Sequence, residues 1–270
     1  MQADVELHQE SALAGRITAL SIRDLSISFG GITALDGMTF DVEKGTVCGL
    51  IGPNGAGKTT LFNCLSRIYE PASGQIRCGD VDVLKVPQHD VVRLGISRTF
   101  QNIALFKTMS VLDNILVGAH CTASSGFVAN ALRTFGVKRE EGCLRERAGD
   151  LLRLLNLVAV QDKAVADLPF GYQKRVELAR ALASNPMLIL LDEPACGLNH
   201  EEIDGLRTII RRIRDELGIT VLLVEHHMGL VMSVSDKVVA LNFGQKIAEG
   251  SPSEVQGHPD VIRAYLGGKS

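Results

Sequence analysis

The sequence predicts an α/β domain built on a mostly parallel sheet, and three observations predict it. A glycine-rich loop, Gly52-Pro53-Asn54-Gly55-Ala56-Gly57-Lys58-Thr59-Thr60, joins a short apolar strand pattern at 46–51 to a helical pattern from 58 to about 69. Two further strand patterns, 187–191 and 219–224, are apolar almost throughout, as strands covered on both faces must be. Between them, 201–217 has helical spacing, which gives the strand–helix–strand order of a parallel sheet.

The elements follow in order. Residues 17–51 alternate in strand fashion through Leu20, Ile22, Leu25, Ile27, Phe40 and Val42, with turns at Gly30-Gly31 and Glu43-Lys44-Gly45. After the loop helix, whose inner face is Leu61, Phe62 and Leu65, a turn at 70–74 leads into a strand pair over 75–83. A short helix near 89–94 precedes a strand at 97–100. Ser110 then caps a helix with Asp113 placed to complete a capping box. Residues 120–142 break the pattern and read as an inserted surface segment. Leu144, Ala148, Leu151, Leu152 and Leu155 recur at helical spacing, with Arg145, Arg147 and Arg153 on a solvated face. A helix is expected at 172–184, a hairpin over 237–251 turning at Asn242-Phe243-Gly244, a short helix opened by Pro252, and a last helix at about 260–266.

Composition narrows the class. The chain has 270 residues, 46% hydrophobic and 22% charged, with a net charge of −3. That length allows one large domain or two small ones, and the charge gives no reason to expect nucleic acid as a partner. The six cysteines form no C-x-x-C pair and read as reduced thiols. Residues 1–16 carry Asp4, Glu6 and Glu10 without a long apolar core, so they read as a loose leader and not a signal peptide. No run reaches the roughly 18 apolar residues of a membrane span.

The glycine-rich loop fits G-x-x-x-x-G-K-[ST] from Gly52 to Thr59. Strand, loop and helix in that order aim backbone N–H groups and a helix N-terminus at a phosphate. Lys58 is then expected on the β- and γ-phosphates and the Thr59 hydroxyl on Mg²⁺. Phe29, ahead of the loop, reads either as a core or hairpin aromatic or, with the loop present, as an aromatic able to stack on a purine. The strand at 187–191 ends in Asp192-Glu193, where α/β sheets place ligand chemistry. Asp192 suits a Mg²⁺ shell, and Glu193 suits a base acting on an attacking water.

These motifs, taken with those that follow, resemble the ATP-binding subunit of an ABC transporter over about residues 17–266. Gln101 in Arg98-Thr99-Phe100-Gln101-Asn102 matches the Q-loop of that family. Leu168-Pro169-Phe170-Gly171-Tyr172-Gln173 occupies the signature position, Ala195-Cys196-Gly197-Leu198-Asn199 the D-loop, and Glu225-His226 the switch histidine. The Arg98–Asn102 motif, the insertion, Gly197-Leu198-Asn199 and the end Ala264-Tyr265-Leu266-Gly267 are similar to LivG-type subunits of branched-chain amino acid importers.

The resemblance implies an ABC-type phosphate-loop domain over 17–270. Its parts are a mostly parallel core sheet, an antiparallel β subdomain and a helical signature subdomain at about 102–175. It implies ATP and Mg²⁺ as cofactors, with Phe29 on adenine and the loop from Gly52 to Thr60 on the phosphates. Thr59, Asp192 and Gln101 would surround Mg²⁺ and water, Glu193 would polarise the water, and His226 would contact the γ-phosphate. Gly171 would approach the nucleotide of a head-to-tail partner, either a second copy or a LivF-type ATPase. The implied assembly has two transmembrane permease subunits, with a solute-binding protein engaged indirectly, and sits on the cytoplasmic side of the cell membrane. Lipid or lipopolysaccharide export and a soluble ABC ATPase are the alternatives. Two departures stand out. Pro169 replaces the signature serine, bringing neither hydroxyl nor N–H, and His227, expected as an exposed second histidine, stands where the LivG pattern has Asp.

Overall fold

Strands β1 (Thr18–Phe29) and β2 (Ile32–Glu43) run antiparallel through the Gly30-Gly31 turn, in a computed structural model that describes residues 17–100, 104–119 and 135–266. Strands β4 (Ser73–Cys78) and β5 (Val81–Asp82) extend them into a four-stranded sheet of order β2-β1-β4-β5. The alternation of β1 slips between Ile22 and Leu25, where Asp24 takes a left-handed φ of 49°. Leu20, Ile22, Leu25 and Ile27 are all buried as expected.

The second sheet has the order β10-β9-β3-β8-β7-β6. Strands β3 (Val47–Ile51), β6 (Ile96–Arg98), β7 (Leu188–Asp192), β8 (Thr220–Val224) and β9 (Lys237–Asn242) are parallel, and β10 (Gln245–Gly250) closes the edge antiparallel. Their apolar runs are explained by two cores. Cys48, Leu50, Leu188, Leu190, Leu222 and Val224 face one core, shared with the antiparallel sheet and with helix α1 (Lys58–Leu65). Val47, Ile51, Ile189, Leu191, Val221 and Leu223 face the other. Helices α2 (Val111–Ala119), α3 (Phe135–Leu154), α4 (Phe170–Ala183) and α5 (His200–Leu217) fill that second core. Period-two alternation between two apolar layers makes every strand position apolar.

Some expectations shift. Helix α1 stops at Leu65, not near 69, because Arg67 turns left-handed (φ 57°) and the Ile68 N–H bonds back to the Asn63 carbonyl at 2.8 Å. Of the expected insertion at 120–142, only 135–142 is described, and it forms the first turns of α3. The expected leader at 1–16 and Gln101 lie outside the described residues. Arg147 is not on a solvated face: its guanidinium donates to the Leu182 carbonyl and to Asn185, and burial lowers its pKa. Helix α6 (Met228–Val234) has no counterpart in the sequence reading. Its cap is His227, whose Nδ1 accepts the Leu230 N–H at 3.1 Å, so His227 is a half-buried cap and not a free surface side chain. Helices α7 (Pro252–Gln256) and α8 (Pro259–Leu266) end the described chain. Among the described residues no helix is long and apolar enough to cross a membrane.

Candidate active site

Parallel register brings the motif ends to one edge of the sheet. Leu50 pairs with Val224, Asp192 with Val224 and Arg98 with Leu190. The segments after β3, β7, β8 and β6 therefore leave the sheet side by side, at the carboxyl ends where open α/β sheets bind ligands.

The phosphate loop follows β3. Gly57 (φ 101°) is the N-cap of α1, and a Cβ there would strike the Ala34 carbonyl of β2. Glycine is needed both for that φ and for that contact. Helix α1 has no side-chain cap and no acidic residue in its first turn, whereas α5 and α7 carry full capping boxes. Its first N–H groups are thus left for an external acceptor, the arrangement that binds anions. Lys58 is 5% exposed, with Nζ 2.6 Å from the Gly52 carbonyl and 3.0 Å from that of Pro53. Burial lowers its pKa, and the charges of Glu193 and Asp192 oppose that shift. Lys58 and the two carboxylates therefore share one site. Pro53 and Thr60 are half-buried, Asn54, Gly55 and Thr59 are exposed, and Gly52 and Ala56 are buried beneath the loop.

Glu193 leaves β7 with φ 48°, a left-handed conformation that costs a non-glycine residue energy. Its N–H bonds to the Val224 carbonyl at 2.9 Å, and its Oε1 lies 2.8 Å from His226 Nε2. A carboxylate only accepts, so the ionised pair requires the imidazole proton on Nε2. Asp192 is buried and bonded to Arg98. Phe29 is 45% exposed at the end of β1 and meets Tyr69 edge-to-face at 5.0 Å, so it is not a core residue. Gly171 lies at the start of α4, where a Cβ would collide with the Glu202 carboxylate. Glu202 in turn completes the capping box of α5 with Asn199. A side chain at Gly171 would therefore have to displace the end of Glu202, which also caps α5.

Sequence reasoning brought Lys58, Thr59, Asp192, Glu193 and His226 to one place and missed their supports. Glu225, 3% exposed, accepts the Ala195 N–H through Oε1 and the His226 and His227 N–H groups through Oε2. It ties the D-loop to the switch. Tyr265 of α8 bonds to the Gly52 backbone, and burial raises its pKa. A polar residue ending an apolar strand was the only signal for Glu225.

A family described as ABC transporter matches residues 35–196. The chain belongs to the ABC transporter ATP-binding family. A second family, branched-chain amino acid ATP-binding cassette transporter, matches residues 245–269, which include Tyr265. This ABC ATPase is 42% identical to the high-affinity branched-chain amino acid transport ATP-binding protein BraF of Pseudomonas aeruginosa, over 92% of this chain and 97% of that one. It is 38% identical to LivG of Escherichia coli, a protein of the same description, with the same coverage. Among solved structures, the ADP conformation of an ATP-binding cassette of an ABC transporter superposes with a TM-score of 0.80 at 31% identity, covering 93% of this chain and 99% of that one. A nucleotide-free ATP-binding cassette from an ABC transporter gives 0.77 at 31% identity, covering 92% and 98%. The expected fold, an ABC-type α/β domain with a parallel core, an antiparallel sheet and helices, is the one observed.

Proposed function

We propose that this ABC ATPase powers an importer for branched-chain amino acids or related polar solutes. In this reading it docks on two transmembrane permease subunits at the cytoplasmic face of the membrane. The observation that carries the enzymatic part is the uncapped α1 N-terminus beside Lys58, with Glu193 and His226 paired 2.8 Å apart at the same sheet edge. The solute class rests on the relatives and on the match at 245–269.

Phe29 stacks on adenine, steadied by Tyr69. The loop between Gly52 and Thr60 wraps the phosphates with its free backbone N–H groups (Pro53 has none), and Lys58 joins them, exchanging its two loop carbonyls for phosphate oxygens. Mg²⁺ suits the donors: a buried Asp192 carboxylate and the Thr59 hydroxyl are hard oxygens, and no cluster of three or more His, Cys, Asp or Glu among the described residues competes for it. Bound there, Mg²⁺ would neutralise charge on the β- and γ-phosphate oxygens. Glu193 orients and polarises the attacking water, held by His226, which also reaches the γ-phosphate. Gln101 senses that phosphate for the helical unit at about 102–175. Head-to-tail pairing, with a second copy or a LivF-type ATPase, lets the segment around Gly171 complete the partner's site. ATP closes the pair and hydrolysis reopens it. A solute-binding protein outside the membrane selects the cargo and never touches this chain.

Glu193→Gln tests the assignment. ATP binding is expected to stay within about twofold of wild type, while turnover falls by about 10²–10⁴-fold, the usual worth of a positioned base. Turnover at the wild-type rate would remove Glu193 from the chemistry.

A further inference from the structure

Arg98 is the last residue of β6, and its side chain is 8% exposed. Its Nη2 lies 2.7 Å from Asp192 Oδ2, on a carboxylate that is itself 5% exposed. Its Nη1 donates to Asn63 Oδ1 at 2.8 Å and to Ser66 Oγ at 3.2 Å. The guanidinium also sits against two aromatic rings, 5.5 Å from the centroid of Phe62 and 5.2 Å from that of Phe100. One planar fork therefore joins three pieces of the site. They are α1, which begins at Lys58-Thr59, the strand that leads to Gln101, and the end of β7.

A buried charged pair is not by itself a sign of stability, because desolvation offsets much of the attraction. Arg98 Nε is moreover buried with no hydrogen-bond partner among the described residues. Placement is what this geometry provides. The fork fixes one carboxylate oxygen of Asp192 and anchors it to the same helix that presents Thr59. Octahedral Mg²⁺ tolerates little misplacement of its oxygens, and removing the hydrogen-bond partner of a ligating carboxylate costs 10- to 100-fold in metal affinity.

We propose that Arg98 is a positioning residue that orients Asp192 toward the divalent cation accompanying the nucleotide, with Asn63 on α1 and Ser66 at the C-cap of α1 as its anchors. This rests on the reading above that Asp192 serves Mg²⁺. Arg98→Lys keeps the charge but cannot span Asp192 and Asn63 together. Asn63→Ala loosens the anchor while leaving Arg98 and Asp192 in place.

Binding of a fluorescent, non-hydrolysable ATP analogue is titrated with Mg²⁺ and, separately, measured in EDTA. Arg98→Lys is expected to raise the Mg²⁺ midpoint about tenfold or more, with analogue binding in EDTA within about twofold of wild type. Asn63→Ala is expected to shift the midpoint part of the way. Circular dichroism establishes folding, and Asn63→Ala decides if Arg98→Lys does not fold. Unshifted midpoints in the folded variants, against a Mg²⁺-dependent wild type, would overturn the role of Arg98 alone. A wild type indifferent to Mg²⁺ would overturn the metal reading and this inference with it.

Discussion

Pro169 is the N-cap of α4, and its side chain makes no capping bond. A serine there would accept an N–H of the first turn, worth about 1 kcal/mol. It would also free the unfolded chain, losing about 0.4–1 kcal/mol of the restriction that proline imposes. The two nearly cancel, so Pro169→Ser is expected to move Tm by less than about 2 °C. In the proposed head-to-tail pair its hydroxyl would bond the partner's γ-phosphate, and about 1.5 kcal/mol there corresponds to roughly tenfold in rate. Turnover of the transporter complex is therefore expected to rise by up to about tenfold at nearly constant Tm, and an unchanged rate would leave Pro169 neutral. At this scale, legibility depended on sequence distance. Lys58 is readable because its partners, the Gly52 and Pro53 carbonyls, lie within the same loop. Arg98 carries no local signal of its role, because its partner Asp192 stands 94 positions away. His227 was misread because a histidine caps a helix only through its acceptor nitrogen, a property its surroundings confer.

Helix α4 holds both flanks of residues 101–103. Glu177, 3% exposed, accepts the Phe100 N–H at 3.3 Å and a backbone bond from Ala104, and Arg180 donates to the Ala104 carbonyl. One carboxylate thus grips both flanks of residues 101–103 and ties them to the signature helix. Burial raises the Glu177 pKa, with Lys174 opposing it. In the window between the ordinary carboxyl value and the raised one, the folded chain holds more protons than the unfolded chain. Stability from this group is therefore gained as pH falls through that window and lost as pH rises. Glu177→Gln cannot ionise, so its stability minus that of wild type is expected to increase with rising pH across the window, read by denaturant melts. The amide also offers one acceptor in place of two, and hydrogen exchange at Phe100 and Ala104 is expected to quicken by about five- to tenfold. Exchange and pH slope identical to wild type would remove the clasp. The main elements were legible because apolar strands and helical stripes are local signals. The short α6 was not, since seven residues hold less than two full periods and its cap was unrecognised.

The described residues form two apolar cores on either side of one mostly parallel sheet, and that plan decides where chemistry is allowed. Buried faces leave the strand ends for polar groups, so the phosphate loop, Asp192-Glu193 and Glu225-His226 gather on one edge although His226 stands 174 positions after Gly52. The sequence showed each motif and the register supplied their meeting. Tyr265, bonded to the Gly52 backbone, places part of the 245–269 match next to the phosphate loop. The central claim is that this ATPase is one subunit of a membrane transporter. The most direct measurement is to tag the chain in its native host, solubilise the membranes gently and identify by mass what co-purifies. Two multi-span polypeptides and a second, related ATPase are expected. Recovery only with soluble partners, or absence from the membrane fraction, would contradict the claim.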